Sequence, residues 1–312
     1  MDFKSKITLW LRHIWVKYRR LVLVIFIGWL IIFMINMIIK NRRPQVVLKN
    51  TYDPDTAVIT NDNAPTRYQD KIKAAMDEYI KHCNNKDYNS AFDLLTDDCK
   101  DYLYGNSLVR FQNYVDSLFK SKKIYNYQAF SIFNGYYIYD VTILDDIGAT
   151  GTTGNYDTFT EKYTFSRQND GSFKISTGDF IRKVSINKQL EDENMIVKLD
   201  SLYQSYSRVD YELTIINRTD KYVDIADGTM RGEVTLNVNG EKRTAVNLTN
   251  AEIALRPGQT ESYSLIFDKY FDDSKTATQI NFNCVRLLEN YDGTSEDTTS
   301  QADKYYSFNI NL

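Results

Sequence analysis

The run LVLVIFIGWLIIFMINMII, Leu21 to Ile39, holds nineteen residues without a charge and limits what the chain can become more than any other stretch. At ~1.5 Å of rise per helical residue it is ~28 Å long, close to the ~30 Å hydrocarbon thickness of a bilayer. Lipid offers the backbone no hydrogen bonds, so such a segment is satisfied only as a helix. A cleaved leader has a shorter apolar part ending in small residues, whereas Asn36, Met37, Ile38, Ile39, Lys40 and Asn41 stand here. The sequence therefore predicts a transmembrane helix over 21–39 with Leu21, Trp29 and Ile39 in the anchor. Arg19 and Arg20 before it, and Lys40, Arg42 and Arg43 after it, are expected at the lipid headgroups.

Charge divides the chain. Residues 1–49 carry ten Lys or Arg and one acid, whereas residues 50–312 carry 28 basic and 40 acidic residues. The acidic bulk argues against nucleic acid as a partner, because phosphates demand a basic surface. Six cations precede the span and four follow it closely, which favours a cytoplasmic N-terminus, the reverse topology being the alternative. Residues 1–20 are then a basic cytoplasmic segment. In it Leu9, Trp10, Leu11, Ile14 and Trp15 suit an amphipathic helix at the membrane surface.

Residues 40–65 hold Pro44, Pro54 and Pro65 without apolar periodicity and read as an extended stalk. Helical spacing begins at Thr66, with Gln69 completing a capping box. Tyr68, Ile72, Ala75, Met76, Tyr79 and Cys83 then recur every three or four residues. A second helix carries Tyr88, Ala91, Phe92, Leu94 and Leu95; a third, capped by Ser107, carries Leu108, Phe111, Val115, Leu118 and Phe119. From Ile124 the period becomes two, through Tyr137, Tyr139, Val141 and Ile143 and then Phe159, Glu161, Tyr163 and Phe165. Asp170-Gly171 turns into Phe173 and Ile175, and a last strand is expected near Phe180 to Ile186. Three helices on a curved antiparallel sheet make an α+β domain over 66–190.

The segment Tyr88-Asn89-Ser90-Ala91-Phe92-Asp93-Leu94-Leu95-Thr96, the helix from Ser107 to Phe119 and the four strands after it resemble the nuclear transport factor two-like (cystatin-like) cone. The resemblance implies a sheet wrapped around the long first helix, with a pocket at its open end. Some members of that family are isomerases or dehydratases with an acid in the pocket. Others, including membrane-anchored assembly factors of bacterial conjugation and secretion systems, only bind.

Glu191, Asp192, Glu193 and Asn194 read as an interdomain link, after which 191–312 is all strand. Val209, Tyr211, Leu213 and Ile215 alternate with polar residues. Val234, Leu236 and Val238 lead into the hairpin signal Asn239-Gly240, from which Val246 and Leu248 are expected to return. Arg256-Pro257-Gly258-Gln259 fits a type II turn. Tyr263, Leu265 and Phe267, then Ile280, Phe282 and Cys284, then Tyr306, Phe308, Ile310 and Leu312 are expected to face inward. About seven strands of this kind predict a β-sandwich, and the segment resembles the immunoglobulin-like modules of bacterial surface proteins.

Glu161 is the candidate acid, sharing a face with Phe159, Tyr163 and Phe165. With Tyr137, Tyr139 and Tyr163 it forms the candidate pocket of the cone, where burial would raise its pKa. No second catalytic group accompanies it. His13 and His82 lie on opposite sides of the span, which removes Ser-His-Asp and multi-histidine zinc chemistry, so no catalytic residue, metal or cofactor is expected. Gly148, Gly151 and Gly154 lack the Gly-Lys-Ser/Thr ending of a phosphate loop and read as a hairpin loop. The sequence thus points to a single-pass, non-enzymatic binding or assembly protein of the cell envelope. Membrane lipid and a protein partner are its expected contacts. A sensor or enzyme using the cone pocket and a structural spacer are the alternatives.

Overall fold

A computed structural model describes residues 17, 18, 28, 33, 54–60, 62–146, 148, 157–227, 234–248, 252–269, 276–289, 291 and 304–312. The expected anchor residues Leu21, Trp29 and Ile39 and the cations Arg19, Arg20, Lys40, Arg42 and Arg43 lie outside them, as do Gly151 and Gly154. Among the described residues no helix is long and apolar enough to cross a membrane. The chain divides into two compact units, Met1–Asp53 and Pro54–Leu312. Among the described residues, the second is mostly antiparallel sheet with four helices between Thr66 and Leu118.

Helix α1 (Thr66–Asn84) buries Ile72, Ala75, Met76, Tyr79 and Cys83 of the stripe its spacing predicts, together with Ile80, while Tyr68 is partly exposed. The capping box does not form. Pro65 holds the cap position with Thr66 as the first helical residue, and Gln69 Nε2 donates instead to the Ala64 carbonyl at 2.8 Å. Helix α2 (Tyr88–Asp93) is capped by Asp87, and α4 (Leu108–Leu118) by Ser107 as expected. Between them stands a fourth helix that periodicity does not reveal, α3 (Asp97–Tyr104). It starts on the Thr96 side chain, which accepts from Cys99 N, and stops at Gly105 in the left-handed region. Only Cys99 and Tyr104 of α3 are buried, too few for an apolar period to register.

Strands β1 (Lys123–Phe133), β2 (Tyr136–Asp145), β3 (Thr158–Arg167) and β4 (Phe173–Ser176) form one antiparallel meander in that order. Its inner face, with Tyr137, Tyr139, Val141, Ile143, Tyr163 and Phe165, shares one core with the buried faces of the helices. The stalk expected over 40–65 does not extend to Pro65, because residues from Pro54 onward are docked on β1. Ala129 N donates to the Pro54 carbonyl at 2.6 Å, Val58 N to Ala129 O at 3.1 Å and Ile59 N to Phe130 O at 2.9 Å. Ala57 and Ala64 are buried. Small side chains and backbone pairing, rather than an apolar period, hold this segment.

The strand expected to close the first sheet belongs elsewhere. Phe180 to Ile186 lie in β5 (Phe180–Glu191), which pairs with β6 (Met195–Ser205). The acidic stretch Glu191 to Asn194, expected as a link, turns that hairpin instead. Asp192 N donates to Met195 O at 3.0 Å, and Asp192 Oδ1 accepts from Asn194 N at 2.7 Å. With β7 (Arg208–Asn217) and β12 (Thr260–Asp268) these strands make a second sheet in the order β12-β7-β6-β5.

A third sheet runs β10 (Glu241–Thr244), β9 (Val234–Val238), β13 (Ala277–Leu288), β8 (Tyr222–Asp227), β11 (Glu252–Leu255), with β14 (Lys304–Asn311) also on β13. Buried residues from the second and third sheets form one common core, so the two sheets pack face to face. Asn239 and Gly240 both have positive φ in the β9–β10 turn, and Gly258 has φ 69 in the 256–259 turn, closed by Gln259 N on Arg256 O at 3.0 Å. The returning strand, however, is Glu241–Thr244; Val246 to Leu248 form a 3-10 turn. A register shift between Phe282 and Val285 buries Val285 and leaves Cys284 partly exposed, reversing the inward position expected of it. Leu312 is exposed rather than inward.

Candidate functional site

Glu161 lies opposite Val141 on the inner face of the first sheet, with Tyr163 opposite Tyr139 and Phe165 opposite Tyr137. The pleat therefore brings the four expected pocket residues, Glu161, Tyr137, Tyr139 and Tyr163, to one surface. That surface is packed. Tyr139 and Tyr163 are almost wholly buried, and Tyr163 meets Tyr79 of α1 edge to face at 5.7 Å. Phe111 of α4 lies 6.5 Å from Tyr79 and 5.3 Å from Tyr104 of α3, closing the aromatic layer over the sheet.

Tyr114 Oη donates to Glu161 Oε2 at 2.6 Å, and the backbone of Gly178 also hydrogen-bonds the carboxyl. Burial nevertheless dominates and raises the Glu161 pKa from 4.5 to about 7, helped by Asp179 nearby. The same burial pushes the thiols of Cys83 and Cys99 up to about 12 and about 11, so neither is a ready nucleophile. Tyr104 Oη and Cys99 Sγ both reach Thr177 Oγ1, at 3.1 and 3.9 Å. Glu161 is thus paired with Tyr114, and Tyr104 and Cys99 with Thr177, whereas the buried hydroxyls of Tyr79 and Tyr163 have no hydrogen-bond partner among the described residues.

A second polar cluster joins the first sheet and its helices to the second sheet. Tyr102 of α3 stacks against Phe180 at 5.0 Å and Tyr203 at 4.6 Å, rings that also touch each other at 6.3 Å, and its hydroxyl donates to the buried carboxylate of Asp210. Arg208 Nη2 donates to Tyr102 Oη at 2.8 Å. Lys162 lies 4.3 Å from the Phe130 ring and 4.4 Å from that of Tyr206, and pairs with Asp140 at 2.9 Å. Residues far apart in sequence thereby meet through stacked rings and charged hydrogen bonds.

A cleft of about 350 Å³ opens between the second and third sheets. Strand alternation builds one wall: Arg182, Val184 and Ile186 share a face of β5, Val184 pairs with Leu202 of β6, and Leu202 pairs with Tyr211 of β7. Leu236 and Val238 of β9 form the opposite wall, with Arg243 and Lys269 among the other lining residues. Sequence reasoning missed this site because it placed Phe180 to Ile186 in the first sheet. Their alternation was readable, but their partner strand follows directly through the turn at Glu191 to Asn194, a stretch that reads as an interdomain link. Among the described residues no cluster of His, Cys, Asp or Glu stands where it could hold a metal ion. The chain matches no protein-family model, no curated protein and no solved structure.

Proposed function

We propose that the chain is a membrane-anchored, extracytoplasmic and non-catalytic binding protein of the cell envelope. In this reading the helices and first sheet are a nuclear transport factor two-like cone, and the paired sheets are an immunoglobulin-like sandwich. The apolar run Leu21–Ile39 and the flanking cations support the anchor.

The observation that carries the binding reading is the filled cone. Tyr79, Phe111, Tyr139, Tyr163 and Phe165 occupy the interior where a family enzyme would take its substrate, and Glu161 is engaged there by Tyr114. A body whose helices and sheets are tied at Tyr102 suits the display of a fixed surface to a protein partner. Cross-linking on intact cells followed by recovery of the full chain is expected to bring down a defined partner. Recovery of the monomer alone, across growth conditions, overturns the reading.

One observation favours a second reading, a sensor: the Glu161 carboxyl titrates close to neutrality. That reading requires a small molecule to raise the melting temperature of the full chain, with Glu161→Gln removing the shift; no shift across a broad metabolite set sinks it.

A further inference from the structure

We propose that the cleft between the two sheets binds an anionic amphiphile, a single hydrocarbon chain ending in one carboxylate or phosphate. The site goes beyond the protein-partner reading and does not depend on it.

The apolar part comes from register. Val184, Ile186 and Leu202 are partly exposed along one side, and Leu236 and Val238 back the cleft from the facing sheet. At about 350 Å³ it lies within the ~300–1,000 Å³ usual for small-molecule sites. An extended alkyl chain fits such a slot, since it needs apolar walls and no hydrogen bonds.

The head group follows from charge. Every charged side chain lining the cleft is a cation, Arg182, Arg243 or Lys269, although residues 50–312 carry twelve more acids than bases. Arg243 is engaged, with Nη1 donating to the Asp268 carbonyl at 3.0 Å and Nη2 lying 3.8 Å from Glu241. Arg182 differs. Its Nε donates to Gln204 Oε1 at 3.0 Å, and the guanidinium lies 5.0 Å from the Phe133 ring and 5.7 Å from the Tyr136 ring. Among the described residues no carboxylate pairs with it. Asp97 and Asp98 share a neighbouring cavity with Arg182 but do not pair with it, so this partly buried guanidinium, oriented by an amide and two rings, keeps donors for a carboxylate or phosphate.

The test uses the full chain in nanodiscs of zwitterionic lipid and a fatty acid carrying a photoactivatable diazirine in its tail. Irradiation is expected to label peptides containing Val184, Ile186, Leu202 or Leu236. The same chain ending in a neutral primary amide should label them at least about tenfold less, as loss of a charged hydrogen bond implies. Arg182→Gln is expected to reduce labelling to the same degree. Val184→Glu, which adds a carboxylate at the partly exposed wall, supplies an independent variant with the same expected loss. Labelling confined to residues 1–49, equal labelling by acid and amide, or full labelling of a folded Val184→Glu chain each overturns the proposal.

Discussion

Glu161→Gln separates a structural acid from a working one. The folded-state pKa of Glu161 is raised from 4.5 to about 7, chiefly by burial, so the folded state binds the proton more tightly than the unfolded state does. The stability this group contributes is therefore fully present below 4.5 and is lost as pH rises through about 7. At ~1.4 kcal/mol per pKa unit the full difference is ~3 kcal/mol, and solvent reaching the partly exposed carboxyl reduces it to ~1–3 kcal/mol. Glutamine keeps an oxygen to accept from Tyr114 but carries no charge. The variant should thus be more stable than the parent by ~1–3 kcal/mol at about pH 8 and equal to it at about pH 4. Urea unfolding of the full chain in nanodiscs, followed by far-ultraviolet circular dichroism at both pH values, measures the difference. A variant destabilised at the higher pH would refute the reasoning, because it would mean that the fold or a ligand uses the negative charge.

Three further expectations concern how the unit is tied together. Tyr102→Phe removes a donor from the buried Asp210 carboxylate and should cost ~1.5–3 kcal/mol in urea unfolding; a loss below about 0.5 kcal/mol would mean that the stack alone joins the parts. Ala57→Asp places an unpaired charge in a buried position against β1 and should cost ~3 kcal/mol or more, whereas parental stability would show that the segment from Pro54 is not docked. Cys83 and Cys99, buried and with raised thiol pKa values, should react with maleimide only after unfolding, and rapid native modification of either contradicts the packing of α1 and α3.

What could be read in the chain follows the range of the interactions. Periods of 3.6 and 2 exposed α1, α4, β2, β3 and the inward face of β7, since burial repeats locally along each. The turns at Asn239-Gly240 and Pro257-Gly258 were legible because positive φ restricts residue choice. Helix α3 escaped because its start depends on Thr96 and its buried side holds only two residues.

The docked segment from Pro54 escaped because it is held by backbone pairing with the distant β1, which leaves no mark on hydropathy, and the partner of β5 escaped because the polar turn Glu191 to Asn194 that folds β6 back onto it has the composition of a link. At the candidate site the face shared by Glu161 and the tyrosines was readable from alternation alone. That helices α1, α3 and α4 fill the space above it was not, because packing across elements has no local signature. Arg182 was invisible as a ligand group for the same reason, its neighbours Gln204, Phe133 and Tyr136 coming from three other strands.

The central claim, an anchored binding body held outside the cytoplasm, is tested most directly by placing a cysteine at the exposed Ser185 of β5 in the full chain. Intact cells are then treated with a membrane-impermeant maleimide. The account predicts labelling of Ser185→Cys before any permeabilisation, with the chain remaining in the membrane fraction after a high-salt wash. Labelling that appears only after permeabilisation, or release of the chain by salt, would contradict it.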